Sequence, residues 1–268
     1  MLVLIRGGGD LASGVAVRLH RSGFQVLITE LEEPLVIRRT VSFAEAVYER
    51  LTLVEDIVGE LIDDSSEAKE VLRAGRIPVL IDPDLSCLNK LVPEVVVDAR
   101  MLKKPPARGK EIASLVIGLG PGFIAGDNCH AVIETNRGHN LGRVIWDGEA
   151  EPNTGIPGEV MGYKEERVLR APEDGVLHTL VKIGEWLEGG KIIGEVDEMP
   201  ILVPFDGLLR GLLRDGTLVS QGMKIGDIDP RQDPTLYTKV SDKALAIGGG
   251  VLETILACPD LRTGLWIS

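Results

Sequence analysis

Gly7, Gly8 and Gly9 stand directly between the apolar run Leu2–Ile5 and an amphipathic stretch that opens at Asp10. Glycines there let the chain turn tightly and let backbone N–H groups approach a phosphate. A helix beginning at Asp10 aims the positive end of its dipole at the same place. Glu30 closes the next apolar run, Phe24–Thr29, where an acid that hydrogen-bonds a ribose is expected. Two residues work against this chemistry. Ala12 occupies the third glycine position, and Asp10 would repel a pyrophosphate unless it turns away or caps the helix. The alternative is that small residues here let the helix pack closely on the strand.

Gly118, Gly120 and Gly122 form a second glycine loop after the strand-like Ser114–Ile117, and both loops could face one crevice. Arg137 and His139 follow the strand-like Ala131–Glu134 and read as an anion-holding pair. Arg38 and Arg39 suit bidentate grip on a phosphate or carboxylate, or pairing with Glu30, Glu32 or Glu33. Cys129, His130 and His139 make a poor zinc set, because adjacent Cys and His point to opposite faces of a strand, so no metal is expected. Cys129 beside His130 is a candidate for sulfur or selenium transfer, although free cysteines are usually buried and inert. The motifs place no proton donor, so the catalytic residues are unknown.

A net charge of −12 argues against nucleic acid and against an anionic membrane surface, and leaves small phosphorylated ligands as partners. Three irregularly spaced cysteines indicate reduced thiols and a cytoplasmic setting. The opening apolar run is too short for a signal segment, and no membrane span follows.

These residues need strands and helices to position them. Leu51–Val54, Pro78–Ile81 and Val95–Val97 are β-branched and strand-like, and Asp98-Ala99-Arg100 ends the last of them. Ser42–Glu45 has capping-box spacing, and Asp63–Ser66 opens a helix expected to reach Gly75. Lys103–Gly109, with Pro105-Pro106, reads as an exposed loop.

Further on, the chain repeats itself at an offset of 32. Pro172 matches Pro204, Asp174 matches Asp206, Leu177 matches Leu209, Gly184 matches Gly216, and Ile193-Gly194 matches Ile225-Gly226. Each copy resembles one half of a lipoyl or biotinyl domain, a barrel-sandwich hybrid. No lysine lies between Lys191 and Lys224 to carry a prosthetic group, so the module reads as scaffold, docking surface or lid. Gly248, Gly249 and Gly250 then fall inside a helix, at a cost of about 1 kcal/mol each, for close packing or ligand approach. The expected fold is an α/β Rossmann-like domain over 1–150 and a lipoyl/biotinyl-like β-module lacking the carrier lysine over 151–232. A C-terminal helical segment, 233–268, packs back on the first domain.

The stretches Arg6–Gly14, Ile37–Ala46, Gly118–Phe123, Arg137–His139 and Ile228–Arg231 together resemble the accessory proteins of selenium-dependent molybdenum hydroxylases, the YqeB type. Ile247–Glu253 is similar to a short motif of XdhC-type molybdenum cofactor chaperones. The resemblance implies maturation of a molybdenum hydroxylase apoenzyme, with molybdenum cofactor or another phosphorylated pterin or nucleotide at the glycine loops. An NAD-dependent oxidoreductase and a non-catalytic scaffold are the alternatives, and a homo-oligomer is compatible with all three.

Overall fold

The computed structural model describes residues 1–102, 106, 109–152 and 158–263. Lys103, Lys104 and Pro105 of the expected exposed loop lie outside the described residues. The chain forms two compact units, Met1–Pro34 with Ser42–Asn153 and Val240–Ser268, and Leu35–Val41 with Thr154–Lys239.

The first unit begins with β1 (Leu2–Arg6), α1 (Asp10–Arg21) and β2 (Gln25–Glu30). Then come α2 (Ala46–Glu49), β3 (Leu51–Val54), β4 (Ile57–Ile62), α3 (Ala68–Arg73), β5 (Ile77–Ile81) and β6 (Val95–Asp98). β7 (Leu115–Leu119), β8 (Ile124–Ala125), β9 (Ala131–Ile133), β10 (Val144–Ile145) and β11 (Gly148–Glu149) complete its strands. Nine of them make one sheet in the order β10-β9-β7-β6-β1-β2-β5-β4-β3. The inner seven run parallel, and β3 and β10 are antiparallel edges. Val3, Leu4 and Ile5 are all fully buried, as strands covered on both faces require, which is why they read as a continuous apolar run. Leu4, Leu27, Leu80, Val96 and Val116 line one face and pack with Ala68 and Val71 of α3.

This corrects the Rossmann-like expectation. β5 sits between β2 and β4, β3 and β4 form a hairpin, and the β6–β7 and β7–β9 connections carry no α-helix among the described residues. The loop order of strand, glycine turn, helix, strand is local and could not reveal the rest of the sheet. Capping follows the same lesson. Ser42 makes no side-chain cap, whereas Asp64 and Glu67 form a reciprocal capping box ahead of α3.

The second unit contains β12 (Val168–Arg170), β13 (Gly175–Thr179), β14 (Trp186–Leu187), β15 (Ile192–Val196), β16 (Met199–Leu202), β17 (Gly207–Leu212), β18 (Leu218–Val219), β19 (Lys224–Asp229) and α4 (Thr235–Thr238). Its two sheets run β12-β19-β17-β14 and β16-β15-β13-β18. Advancing each strand of the first copy by one repeat turns β12 into β16, β13 into β17, β14 into β18 and β15 into β19. The two sheets exchange under that operation, so each is woven from both copies. The repeat-matched pairs Leu177/Leu209, Leu187/Val219, Ile193/Ile225 and Val196/Ile228 are all buried in one core. Leu35–Val41 completes the unit, with the Leu212 N–H donating to the Ile37 carbonyl at 2.9 Å. A pair of four-stranded antiparallel sheets, finished by a segment from far upstream, thus replaces the expected lipoyl/biotinyl-like barrel-sandwich hybrid. Arg167 is buried against Asp229 at 3.0 Å, which Arg231 also grips at 2.7 Å.

α5 (Asp242–Ala257), capped by the Ser241 hydroxyl, returns to the first unit and packs on α1 before the short α6 (Pro259–Thr263). A Cβ at Gly248 would stand 2.9 Å from the Gly14 carbonyl oxygen, and one at Gly250 only 2.2 Å from that of Gly142. Gly249 faces open space. Two of the three glycines therefore serve backbone-to-backbone packing. No helix among the described residues is long and apolar enough to cross a membrane.

Adjacent substitutions separate these roles. Gly250→Ala should lower the urea midpoint, by about 1–3 kcal/mol of overpacking. Gly249→Ala should raise it by about 0.5–1 kcal/mol, since it removes only helical glycine entropy. Equal effects at the two positions would refute the packing assignment.

Candidate functional site

In an open parallel sheet, ligands bind beyond the carboxyl ends of strands where neighbouring connections part to opposite sides. β1 is that strand here, flanked by β2 on one side and β6 on the other. At its end Arg6 is buried and pairs with Asp98 of β6 at 3.3 Å. Arg100 grips the same carboxylate through Nε at 2.9 Å and an η nitrogen at 2.6 Å. Two guanidinium groups thus share one carboxylate where β1 and β6 end. The Arg100 side chain keeps 30% of its surface exposed.

The first glycine loop wraps this point. Gly7 has a φ of +90°, which favours glycine, and its N–H donates to the Thr29 carbonyl at 2.7 Å. Gly8 needs to be glycine for a different reason, since a Cβ would stand 2.8 Å from the Ala44 nitrogen. Its N–H donates to Glu30 Oε1 at 2.7 Å, and the Leu31 N–H donates to Oε2 at 2.6 Å. Glu30 therefore holds the loop itself, through both oxygens, where a ribose contact is the expectation. Gly9 caps α1 through its backbone, and Asp10 is the first helical residue.

The second loop divides similarly. Gly118 lies under Phe123, whose ring carbon would be 2.2 Å from a Cβ there, so this glycine admits a core aromatic. Gly120 and Gly122 have φ of +71° and +97° and make the turn, with the Gly120 N–H donating to the Ile133 carbonyl. Thr135 presses on Gly120, its Oγ1 standing 2.5 Å from where a Cβ would be. It is only 4% exposed, and its hydroxyl has no hydrogen-bond partner among the described residues. Met101, at a φ of +54°, borders the same turn.

Lys243, in the first turn of α5, brings a cation to these loops. Burial and the nearby Arg137 push its amine below the ordinary lysine value, while Asp10, Glu134 and Asp242 favour the ammonium. Its ammonium makes no ion pair among the described residues. Neither Lys243 nor Thr135 carries a motif, and only the approach of α5 to the sheet makes them candidates. Asp98 and Arg100 were legible as strand-end residues.

The other expected ligand residues lie elsewhere. Arg38 and Arg39 belong to the second unit, where Arg38 is buried and donates to the Leu236 and Lys239 carbonyls. Arg137 is held bidentately by Asp242 at 2.7 and 2.8 Å on an exposed loop, and His139 is exposed beside it. His130 Nδ1 accepts the Val116 N–H at 2.9 Å. Cys129 is fully buried, and desolvation pushes its thiol up to about 11. Among the described residues no three His, Cys, Asp or Glu groups gather as metal ligands.

A protonated, enclosed thiol is unreactive. Of the three cysteines, Cys258 alone should react with a disulfide reagent near pH 8 in the native protein, with Cys87 and Cys129 following only in denaturant. Rapid native labelling of Cys129, read by peptide mass mapping, would contradict this.

No family model matches the chain. The protein YqeB of Escherichia coli is 50% identical over 255 residues, which are 95% of this chain and 47% of that protein. Among solved structures, an aspartoacylase family protein from Mesorhizobium loti is 11% identical, over 87% of this chain and 86% of that one, with a TM-score of 0.29. The ectoine utilization protein EutE from Ruegeria pomeroyi is 9% identical, over 84% and 85%, at 0.24. A succinylglutamate desuccinylase/aspartoacylase from Rhodobacter sphaeroides is 19% identical over 32% and 30%, at 0.22. Scores this low carry nothing about fold or chemistry. The similarity to XdhC-type chaperones finds no counterpart among these relatives, and of the glycines that suggested it Gly248 and Gly250 pack against backbone. The chain spans about half the length of its Escherichia coli relative, and over that span it belongs to the YqeB type.

Proposed function

We propose that this chain is an accessory factor in the maturation of a selenium-dependent molybdenum hydroxylase, working in the cytoplasm and binding a phosphorylated pterin or nucleotide beyond the ends of β1, β6, β7 and β9. The observation that carries the reading is the position of Lys243, a partly buried ammonium beside Asp10 and Glu134 at the mouth of α1. The exposed part of Arg100, next to the open side of Gly7, adds a second cation. The Thr135 hydroxyl adds a donor at the second turn. Two cations and a hydroxyl among backbone turns suit a phosphate better than a neutral ligand. The occupied carboxylate of Glu30 weighs against the NAD-dependent oxidoreductase reading, which relies on it for the ribose.

Thermal unfolding with and without ligand tests this. A bound ligand at about a hundredfold its dissociation constant should stabilise the protein by roughly 2.7 kcal/mol. A molybdopterin-type ligand or CTP should raise the midpoint, and Lys243→Met should weaken binding about tenfold or more. Because the ammonium is the binding form, affinity should fall on raising the pH, with a midpoint below the ordinary lysine value of 10.5. Stabilisation by NAD alone would favour the oxidoreductase, and no stabilisation by any of these ligands would leave a scaffold. The maturation role itself is checked by the activity of the hydroxylase apoenzyme reconstituted with wild-type protein and with the Lys243→Met variant.

A further inference from the structure

β3 is an edge of the nine-stranded sheet and pairs on one side only, with β4. A free edge invites a further strand, and folded proteins blunt it with shortness, proline, charge or a bulge. Among the described residues the other edges are blunted in these ways. β10, β14 and β18 are two residues each, as are β8 and β11. β16 contains Pro200, and β12 carries a register shift and Arg170. β3 reads Leu-Thr-Leu-Val, with no charge, no proline and an unbroken register.

The hairpin register shows what this edge presents. Val54 pairs with Ile57 across the Glu55-Asp56 turn, and the Leu61 N–H donates to the Arg50 carbonyl at 2.8 Å. Hydrogen-bonded and non-bonded pairs alternate along an antiparallel ladder. The main chains of Arg50, Thr52 and Val54 therefore turn to β4, and those of Leu51 and Leu53 turn outward. Among the described residues no hydrogen bond outside that ladder reaches Leu51 or Leu53. Their side chains share one face and are 53% and 60% exposed, whereas Thr52 lies on the other face with Gly59 and Phe43. The same two residues thus offer open backbone and open apolar surface.

We propose that this edge is the interface of a homodimer, in which β3 pairs antiparallel with β3 of a second copy about a twofold axis through Thr52. Leu51 of each copy then stands opposite Leu53 of the other, so both outward residues close reciprocal main-chain bonds and the leucines of both copies meet on one face. A slip of one residue would turn the leucines of the two copies to opposite faces. A slip of two would set Leu53 against Glu49, or Leu51 against Glu55. The antiparallel direction also places Arg50, at the start of one strand, beside Glu55-Asp56 at the end of the other. Arg50 and Asp56 already pair with Asp63 and Arg21, so these charges select the direction while backbone and leucines supply the adhesion. The contact uses the same patch on both copies and closes at two.

Sedimentation of the full chain over a range of concentrations tests the proposal. The protein should be a dimer in the micromolar range. Leu53→Lys should raise the dimer dissociation constant about tenfold or more, with the far-UV circular dichroism unchanged, and Leu51→Lys should do the same. The axis makes Thr52 its own neighbour in a non-bonded pair, where the Cα atoms stand about 4.5 Å apart and a disulfide fits. In a Cys258→Ser background, Thr52→Cys should therefore give a disulfide-linked dimer on mild oxidation, much faster than Leu51→Cys or Leu53→Cys alone. A monomer at high micromolar concentration would overturn the proposal. So would a dimer that both lysine variants leave intact, or equal cross-linking rates at the three positions.

Discussion

The contact between α1 and α5 is the constraint on which the first unit depends. Gly14 lets the two helices approach until a Cβ on it would stand 2.4 Å from that of Ala244, and Gly248 answers it from the other side. Helices this close bring backbone against backbone, so neither accepts a larger residue without moving. The approach covers the face of the sheet that lacks crossover helices near β7 and β9, and α5 touches both strands. It also sets the first turn of α5 against the strand-end loops. Lys243 reaches Asp10 and Glu134 only because of it.

Around that edge, buried carboxylates organise the loops. Glu30 after β2 holds Gly8 and Leu31, and Asp82 after β5 accepts the Ser86 and Cys87 N–H groups. Glu134 after β9 accepts those of Asn136 and Glu151, and Asp98 binds two arginines. Burial opposes the charge on Asp82, but these hydrogen bonds hold its carboxyl below the usual range. Each acid satisfies donors that a loop would otherwise bury unpaired. Acids at strand ends here position the backbone.

The second unit is built by duplication and then made asymmetric. Repeat-matched residues fill one core, so the two sheets share a single packing solution. The exchange of Thr179 for Gly211 breaks the symmetry at one end and lets the upstream segment in. That change gives the unit Arg39, which neither copy encodes.

Local signals were legible where local physics decides them. The apolar runs of β1, β2, β6 and β7, the turn glycines and the offset of 32 all appear in the chain itself, because strand burial and positive φ act on residues near in sequence. The expected partner of Glu30 and the pairing of Arg38 with Arg39 as one clasp were not legible, since the occupants of a carboxylate or guanidinium come from distant segments. Strand order was equally hidden, for β5 enters between β2 and β4 without any change in its own pattern. By itself the sequence determined which segments form strands, where the chain turns on glycine, and that the second half is doubled. Only the tertiary structure decided that Gly248 packs α5 on α1 and Gly250 packs it on the Gly142 carbonyl, that Lys243 stands near Asp10 and Glu134, and that Arg39 serves the other unit. Those outcomes depend on which surfaces meet, and steric fit between remote segments leaves no periodic trace in the sequence.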